Sequence, residues 1–210
     1  IDVCDNRYQA YLLKKILKGL NSPLSRDNKE ISSLLSLIRF CKVTENLGFS
    51  FLQNDKLRLK SAIKYQQYLK KNELFDYSDL LIYSKNILLE CFEVRQNYQD
   101  KFSHILVDEF QDINKTQWKI IELVTGKKNN LFLVGDPNQA IYQFQGANPD
   151  LIKSFKEKDD WSNFYLNKNY RSTEKIIKES NNFIKQHASD FVTNFLECTK
   201  EPGSKVVKML

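Results

Sequence analysis

The chain lacks any apolar run approaching the roughly 20 residues that a bilayer-spanning helix needs, and no charged-then-apolar leader opens it. The expected location is therefore the cytoplasm. Its four cysteines, Cys4, Cys41, Cys91 and Cys198, are far apart, form no Cys-x-x-Cys pair and have only His104 and His187 for company. That spacing argues against a structural zinc site and suits a reducing compartment. Neither an internal repeat nor a low-complexity tract is present.

What is present is an ordinary globular composition, 41% hydrophobic and 28% charged over 210 residues, enough for one large domain or two small ones. The net charge of +6 is uneven. Residues 1–74 hold 14 Lys/Arg against 7 Asp/Glu, whereas residues 75–210 hold 18 against 19. A basic segment joined to a near-neutral one points to a polyanion such as nucleic acid. A general abundance of Lys and Asn along the chain is the competing explanation.

Residues 1–74 read as helical. After Asp5 and Asn6, apolar residues at Tyr8, Tyr11, Leu12 and Ile16 follow helical spacing, and Gly19 suits a stop. Asn21, Ser22 and Pro23 read as a turn. A second helix presents Ile31, Leu34, Leu35 and Ile38, and Gly48 marks a break. A third is expected from Asp55 to Lys71, strongly basic, with Leu59, Ile63 and Tyr65 to Tyr68 among its apolar positions. Its tyrosines suit either base stacking or core packing. Asp76 and Asp79 resemble the start of a long helix reaching about Tyr98.

Ile105, Leu106 and Val107 then read as a buried strand, and Asn114 with Gln117 has capping-box spacing for the helix that follows. Asn129 and Asn130 lead into a second buried strand over Leu131 to Val134. Strand, helix and strand with short joints predict a βαβ unit, a parallel sheet with a right-handed crossover. Both strands end in polar residues: Asp108, Glu109, Gln111 and Asp112 after the first, and Asp136, Asn138 and Gln139 after the second. Ligands of α/β sheets sit at this edge. There one carboxylate suits Mg²⁺ and its neighbour suits a water attacking phosphate. Further on, Pro149 opens a helix, the chain turns polar near Asp159 and Asp160, and a strand is expected over Phe164 to Leu166. Ser172 or Thr173 caps another helix, residues 188–204 read as a loop, and Val206 with Val207 opens a last strand.

Three stretches together resemble the UvrD/Rep/PcrA family of superfamily I DNA helicases. Asp108-Glu109-Phe110-Gln111-Asp112 is similar to that family's Walker B motif. Val134 through Tyr142 resembles the motif coupling nucleotide to DNA, and Asn169-Tyr170-Arg171-Ser172 resembles the motif opening the second domain. Asp76 through Leu81 matches a further landmark. The resemblance covers most of residues 75–185 and implies an α/β fold, part of a RecA-like P-loop NTPase parallel sheet. Residues 1–74 would be a basic helical insertion, 75–160 the C-terminal part of the first RecA-like domain, and 161–210 the start of a second.

The resemblance also implies roles. Asp108 would hold Mg²⁺, Glu109 would activate the attacking water, and Gln111 and Gln139 would sense the γ-phosphate of ATP. Tyr142 and Phe144 would lie along single-stranded DNA, Tyr170 would stack on adenine, and Arg171 would act as an arginine finger. DNA single strands and single/double-strand junctions are the implied partners. Gln143 and Gln145 stand where the family usually has Gly and Arg. No Gly-x-x-x-x-Gly-Lys-Ser/Thr loop occurs in the sequence, so the chain resembles an internal piece of such an ATP-dependent, 3'-5' helicase, and is expected to be inactive alone. The helicase-nucleases of the AddA/RecB type, and a non-catalytic DNA-binding module that kept half a motor, are the alternatives.

Overall fold

In a computed structural model the chain is mixed α/β, mostly helical, with short parallel strands. The structure describes residues 2–44, 49, 52–126, 130–148, 150–156, 160–187 and 196–204. Gly48, Asn129, Pro149, Asp159, Val206 and Val207, each given a role by the sequence, lie outside them.

The first third packs β1 (Asp2–Val3), α1 (Asn6–Gly19), α2 (Asn28–Val43), α3 (Lys56–Lys71) and β2 (Leu74–Phe75) around one apolar cluster. Each helix starts on a carboxylate. Asp5 accepts from the Tyr8 N–H at 2.7 Å, and Asp27 and Asp55 do the same for α2 and α3. On α2 the buried stripe is the expected one, continued by Cys41 and Lys42. On α1 the expectation is corrected: Gln9, Leu12, Leu13 and Leu17 face inward, and Tyr8 and Tyr11 are exposed. A phenol tolerates water at its rim, whereas leucines supply apolar burial without a polar atom to satisfy. On α3, Ile63 is exposed and Tyr65 is fully buried, so Tyr65 is a core residue and no base-stacking group.

At the end of α2, Lys42 is buried with two carboxylates from the start of α4 (Tyr77–Glu90). Its ammonium lies 2.8 Å from Asp76 Oδ2 and 2.6 Å from Asp79 Oδ1. Tyr65 donates its hydroxyl to Asp76 Oδ2 at 3.2 Å. Burial and the adjacent Asp76 carboxylate push its phenol far above the ordinary value, so it remains a donor. Asp76 and Asp79 also cap each other's backbone in a capping box, at the helix start that these two residues resemble in the sequence.

The long helix expected from Asp76 to about Tyr98 is two helices. The chain turns extended at Cys91, and α5 (Phe92–Lys101) follows. Arg95 explains how the break is tolerated, since its guanidinium donates to the carbonyls of Leu88 and Leu89 at 2.7 and 3.0 Å. Those acceptors at the end of α4 would otherwise lack partners.

The βαβ unit forms as expected. β3 (Ile105–Val107) pairs in parallel with β4 (Leu131–Leu133), Ile105 opposite Leu131, with α6 (Lys115–Thr125) between them. The full capping box of Asn114 and Gln117 starts α6, and Gly126 ends it. The strands are not buried on both faces, however: Leu106 is 72% exposed and Phe132 55%. Alternation of side chains sends these two to the opposite face from Ile105 and Val107.

After α7 (Asp150–Lys156), Phe164, Tyr165 and Leu166 are exposed and form no strand. Among the described residues no ladder partner runs beside them. Pairing begins instead at β5 (Lys168–Asn169), which runs parallel to β6 (Glu197–Cys198), so part of the expected 188–204 loop is a strand. α8 (Glu174–His187) lies between, directly after Thr173.

Lys42→Met should destabilise the chain by about 3–5 kcal/mol, because it leaves two carboxylates buried without their cation. Asp79→Asn should cost less, since one carboxylate still faces one ammonium. Urea titrations would read both as midpoints; an unchanged Lys42→Met midpoint would show the ion cluster to be dispensable.

Candidate functional site

Where β3 ends, Asp108 and Glu109 emerge into solvent. Asp108 Oδ1 accepts from the Glu109 N–H at 2.9 Å, and Glu109 adopts left-handed backbone, φ 50° and ψ 43°. A non-glycine residue there costs on the order of 1–3 kcal/mol and persists where its surroundings force it. Phe110 supplies much of that force. It is buried with its ring 5.6 Å from Trp118 and 5.8 Å from Phe155, both edge-on. Once that ring is seated, the chain must turn sharply at Glu109.

Gln111 is 1% exposed and uses both ends of its carboxamide. Nε2 donates to Glu109 Oε2 at 2.6 Å, while Oε1 accepts from the Asp136 N–H at 3.0 Å. Gly135 makes the approach feasible, because a Cβ there would stand 2.7 Å from Gln111 Oε1. Asp136 in turn accepts from the Asn138 N–H at 3.0 Å and from Gln139 Nε2 at 2.8 Å. Asp108, Glu109, Gln111 and Gln139, chosen from two separate stretches, thus stand in one hydrogen-bonded group.

The loop after β4 carries Tyr142 and Phe144, 41% and 64% exposed, their ring centroids 6.1 Å apart and tilted by 45°. Its far end is pinned to the same strand-end region, since the Asn148 N–H donates to Ile113 O at 3.0 Å. Gly146, at φ +95°, seats this loop against α2, where a Cβ would meet Val43 Cγ2 at 2.8 Å. Thr116 ties α6 to the same helix end, donating to Val43 O at 2.9 Å. Tyr170 and Arg171, both exposed, belong to the β5–α8 turn, where Asn169 Oδ1 accepts from the Arg171 and Ser172 N–H groups. The hydrogen-bonded group around Glu109 does not include them.

Asp108 has the character required of a magnesium ligand. It is an exposed carboxylate at a strand end, and its second oxygen takes no hydrogen bond among the described residues. Mg²⁺ draws one or two carboxylate oxygens from protein and its remaining ligands from phosphate and water. Sequence reasoning placed Gly135 and Asp136 within a motif at the strand edge without an individual role for either, and assigned none to Gly146 or Lys42. Lys42 had a readable signal: it lies four residues beyond Ile38 and seven beyond Leu35, on their side of the helix.

Gly146→Ala should cost roughly 1–3 kcal/mol from the positive φ and the clash with Val43. Adding Val43→Ala should relieve the steric part and leave the backbone part. Folding midpoints of the two single variants and the double would show non-additivity; strict additivity would mean that the loop does not rest on Val43.

The family described as UvrD/REP helicase N-terminal domain matches residues 1–160. The Mycoplasma capricolum protein named "Probable DNA helicase II homolog" is 33% identical, over 98% of this chain and 29% of that protein. The Mycoplasma pneumoniae "Probable DNA helicase" is 35% identical over 84% of the chain and 34% of its own length. The Staphylococcus aureus "ATP-dependent DNA helicase PcrA" is 40% identical over 59% of the chain and 17% of its own length. The chain therefore spans about a third or less of the relatives it matches. With a family match over most of its length, and with relatives of these names, the chain belongs to the UvrD/Rep/PcrA family of DNA helicases.

Proposed function

We propose that the chain is part of a cytoplasmic, ATP-dependent 3'-5' DNA helicase. Its parent couples ATP hydrolysis to translocation on single-stranded DNA and to duplex unwinding at single/double-strand junctions, in repair or replication. The observation that carries this reading is the hydrogen-bonded path from Glu109 through Gln111 to Asp136, whose loop bears the exposed Tyr142 and Phe144 rings. Water activation and an aromatic platform share one set of strand ends.

Residues 1–74 act as a basic helical insertion, 75–160 as the C-terminal part of a RecA-like domain, and 161–210 as the start of a second. The family match ends at residue 160, which supports the last of these boundaries. Mg²⁺, when bound, neutralises charge on the phosphate oxygens, and Asp108 is the residue that would hold it. Glu109 orients the attacking water and accepts its proton. Gln111 and Gln139 sense the γ-phosphate. Tyr170 offers its exposed ring to adenine, and Arg171 offers a planar guanidinium to charge that builds on the transferring phosphoryl group. Tyr142 and Phe144 stack on bases whatever the sequence, because every base has a π-face. Gln143 and Gln145 supply amides where the family usually places Gly and Arg.

Because Arg171 acts mainly in the transition state, Arg171→Ala in the longer protein should lower ATP turnover by roughly 10³–10⁵-fold with much smaller loss of nucleotide affinity. Lys should rescue poorly, and Glu109→Gln should likewise spare binding. Near-normal turnover in Arg171→Ala would remove the finger assignment. The 210-residue chain alone should hydrolyse no ATP, since the sequence contains no phosphate-cradling Gly-Lys loop.

Phe144→Ala should weaken single-stranded DNA binding by about 1–3 kcal/mol. The affinity should also fall steeply with salt as counterions are released. Fluorescence anisotropy with a labelled oligonucleotide reads both, and an affinity indifferent to salt and to the ring would refute the DNA assignment.

A further inference from the structure

A side chain that touches nothing points where its backbone sends it. Tyr170 is 68% exposed, and the Arg171 guanidinium has no hydrogen-bond or ion-pair partner among the described residues. Their directions therefore depend on the peptide groups that enclose their Cα atoms. The peptide between Asn169 and Tyr170 is held at its oxygen, which accepts from the Thr199 N–H at 3.2 Å and the Thr199 hydroxyl at 2.9 Å. The next, between Tyr170 and Arg171, is held at its nitrogen, which donates to Asn169 Oδ1 at 3.0 Å. The last, between Arg171 and Ser172, is held at both ends. Its nitrogen donates to Asn169 Oδ1 at 2.8 Å, and its oxygen accepts from Lys200 Nζ at 3.0 Å.

Lys200 reaches that oxygen from an anchored base. Parallel pairing of β5 with β6 sets Cys198 opposite Asn169. Beyond it the Lys200 N–H donates to Cys198 Sγ at 3.2 Å, and the Glu201 and Pro202 carbonyls accept from the Glu174 and Lys175 N–H groups. Those two donors open α8 and would otherwise lack helical partners. Gly203, at φ +70°, passes so near Thr173 that a Cβ would stand 2.6 Å from it. The stretch 198–203 thus runs along 169–175 and is tied on both sides of Lys200. The ammonium also occupies the carbonyl onto which the Arg171 side chain could fold back, and its like charge disfavours a guanidinium lying against the turn.

We propose that Lys200 is a positioning residue for Arg171: its ammonium fixes the peptide that follows Arg171 and keeps the guanidinium directed away from its own turn. This rests on the arginine-finger reading above and deepens it, because delivery of Arg171 then depends on a side chain 29 residues further along the chain. Lys200 touches no nucleotide in this role. Its loss slows the step in which charge builds on phosphate and spares ground-state binding. The adenine stack of Tyr170 is spared too, since the peptide before Tyr170 is held by Thr199.

The test uses the longer protein that contains this chain. ATP turnover and nucleotide affinity are measured for the wild type, Lys200→Met, Lys200→Arg, Arg171→Ala and the Lys200→Met/Arg171→Ala double variant. Single-turnover assays with radiolabelled ATP keep the slow variants readable. Lys200→Met keeps the apolar stem and removes the donor and the charge. Its turnover should fall about tenfold, less than the roughly 10²-fold cost of a 1 Å misplacement, with nucleotide affinity within about twofold of wild type. Lys200→Arg keeps a cationic donor and should restore most of the turnover. In the Arg171→Ala background, Lys200→Met should cost nothing further, because no guanidinium is left to place.

A merely structural role would lower turnover by the same factor with and without Arg171. Equal losses in the two backgrounds, a loss of nucleotide affinity that matches the loss of turnover, or wild-type turnover in Lys200→Met overturns the proposal while the finger reading stands. A Lys200→Arg variant as slow as Lys200→Met does the same. Near-normal turnover in Arg171→Ala overturns both.

Discussion

Two carboxylates and one ammonium are buried together where the helical first third meets the rest of the chain. Taking three charges out of water is costly, and the arrangement survives because almost every polar atom is engaged. Asp76 Oδ2 takes Lys42 and the Tyr65 hydroxyl, and Asp76 Oδ1 takes the Asp79 N–H. Asp79 Oδ1 takes Lys42 and Gln66, and its other oxygen takes the Asp76 N–H. Such a cluster adds little net stability over a well-packed apolar one, but it is unforgiving of misplacement. Its consequence is therefore geometric: α2, α3 and the start of α4 can meet in one register.

That register matters one residue further along. Lys42 is followed by Val43, whose carbonyl receives the Thr116 hydroxyl and whose methyl group abuts Gly146. The end of α2 thus supports both the crossover helix and the loop that displays Tyr142 and Phe144. The near end of that loop is held by Gln111 through Asp136, and Gln111 holds Glu109. An unbroken run of packed or hydrogen-bonded contacts leads from the core of the first third to the strand-end carboxylates. Physical connection of this kind is a route by which coupling can travel, and the coupling itself is established only by variants that decouple the two ends.

What the sequence disclosed follows the range of the interactions involved. Local signals were legible: the acidic helix starts at Asp5 and Asp55, the Asn114/Gln117 box, and the βαβ unit with polar residues after both strands. The motif positions were legible too: Asp108, Glu109, Gln111 and Gln139 all lie within them, although their hydrogen bonds to one another cannot be read from the chain. Failures occurred where a distant partner decides. Arg95 reaches back to the end of α4 and permits a break that helical periodicity hides. Tyr65 is claimed by a carboxylate eleven residues away, beyond the end of its own helix. β5 finds its partner in a stretch without strand character, because parallel pairing of two residues needs little intrinsic preference. The exposure of Leu106 and Phe132 was equally illegible, since an apolar run does not reveal how many of its faces are covered.

The charge excess of the first third also takes a different meaning in three dimensions. Lys42 is neutralised inside the protein, Arg58 reaches Glu30 and Asp55, and Arg39 is spent on Gln9 and Asn6. The cations left on the surface of α3 include Lys56, Lys60 and Lys64. Their four-residue spacing sets them along one side of the helix. Flexible, hydrated ammonium groups attract a polyanion over several ångströms without reading its sequence, whereas aromatic rings act only on contact. α3 shares its core with α2, and the end of α2 bears on the Tyr142/Phe144 loop. Exposed lysines and exposed rings are thus carried on elements that pack against one another.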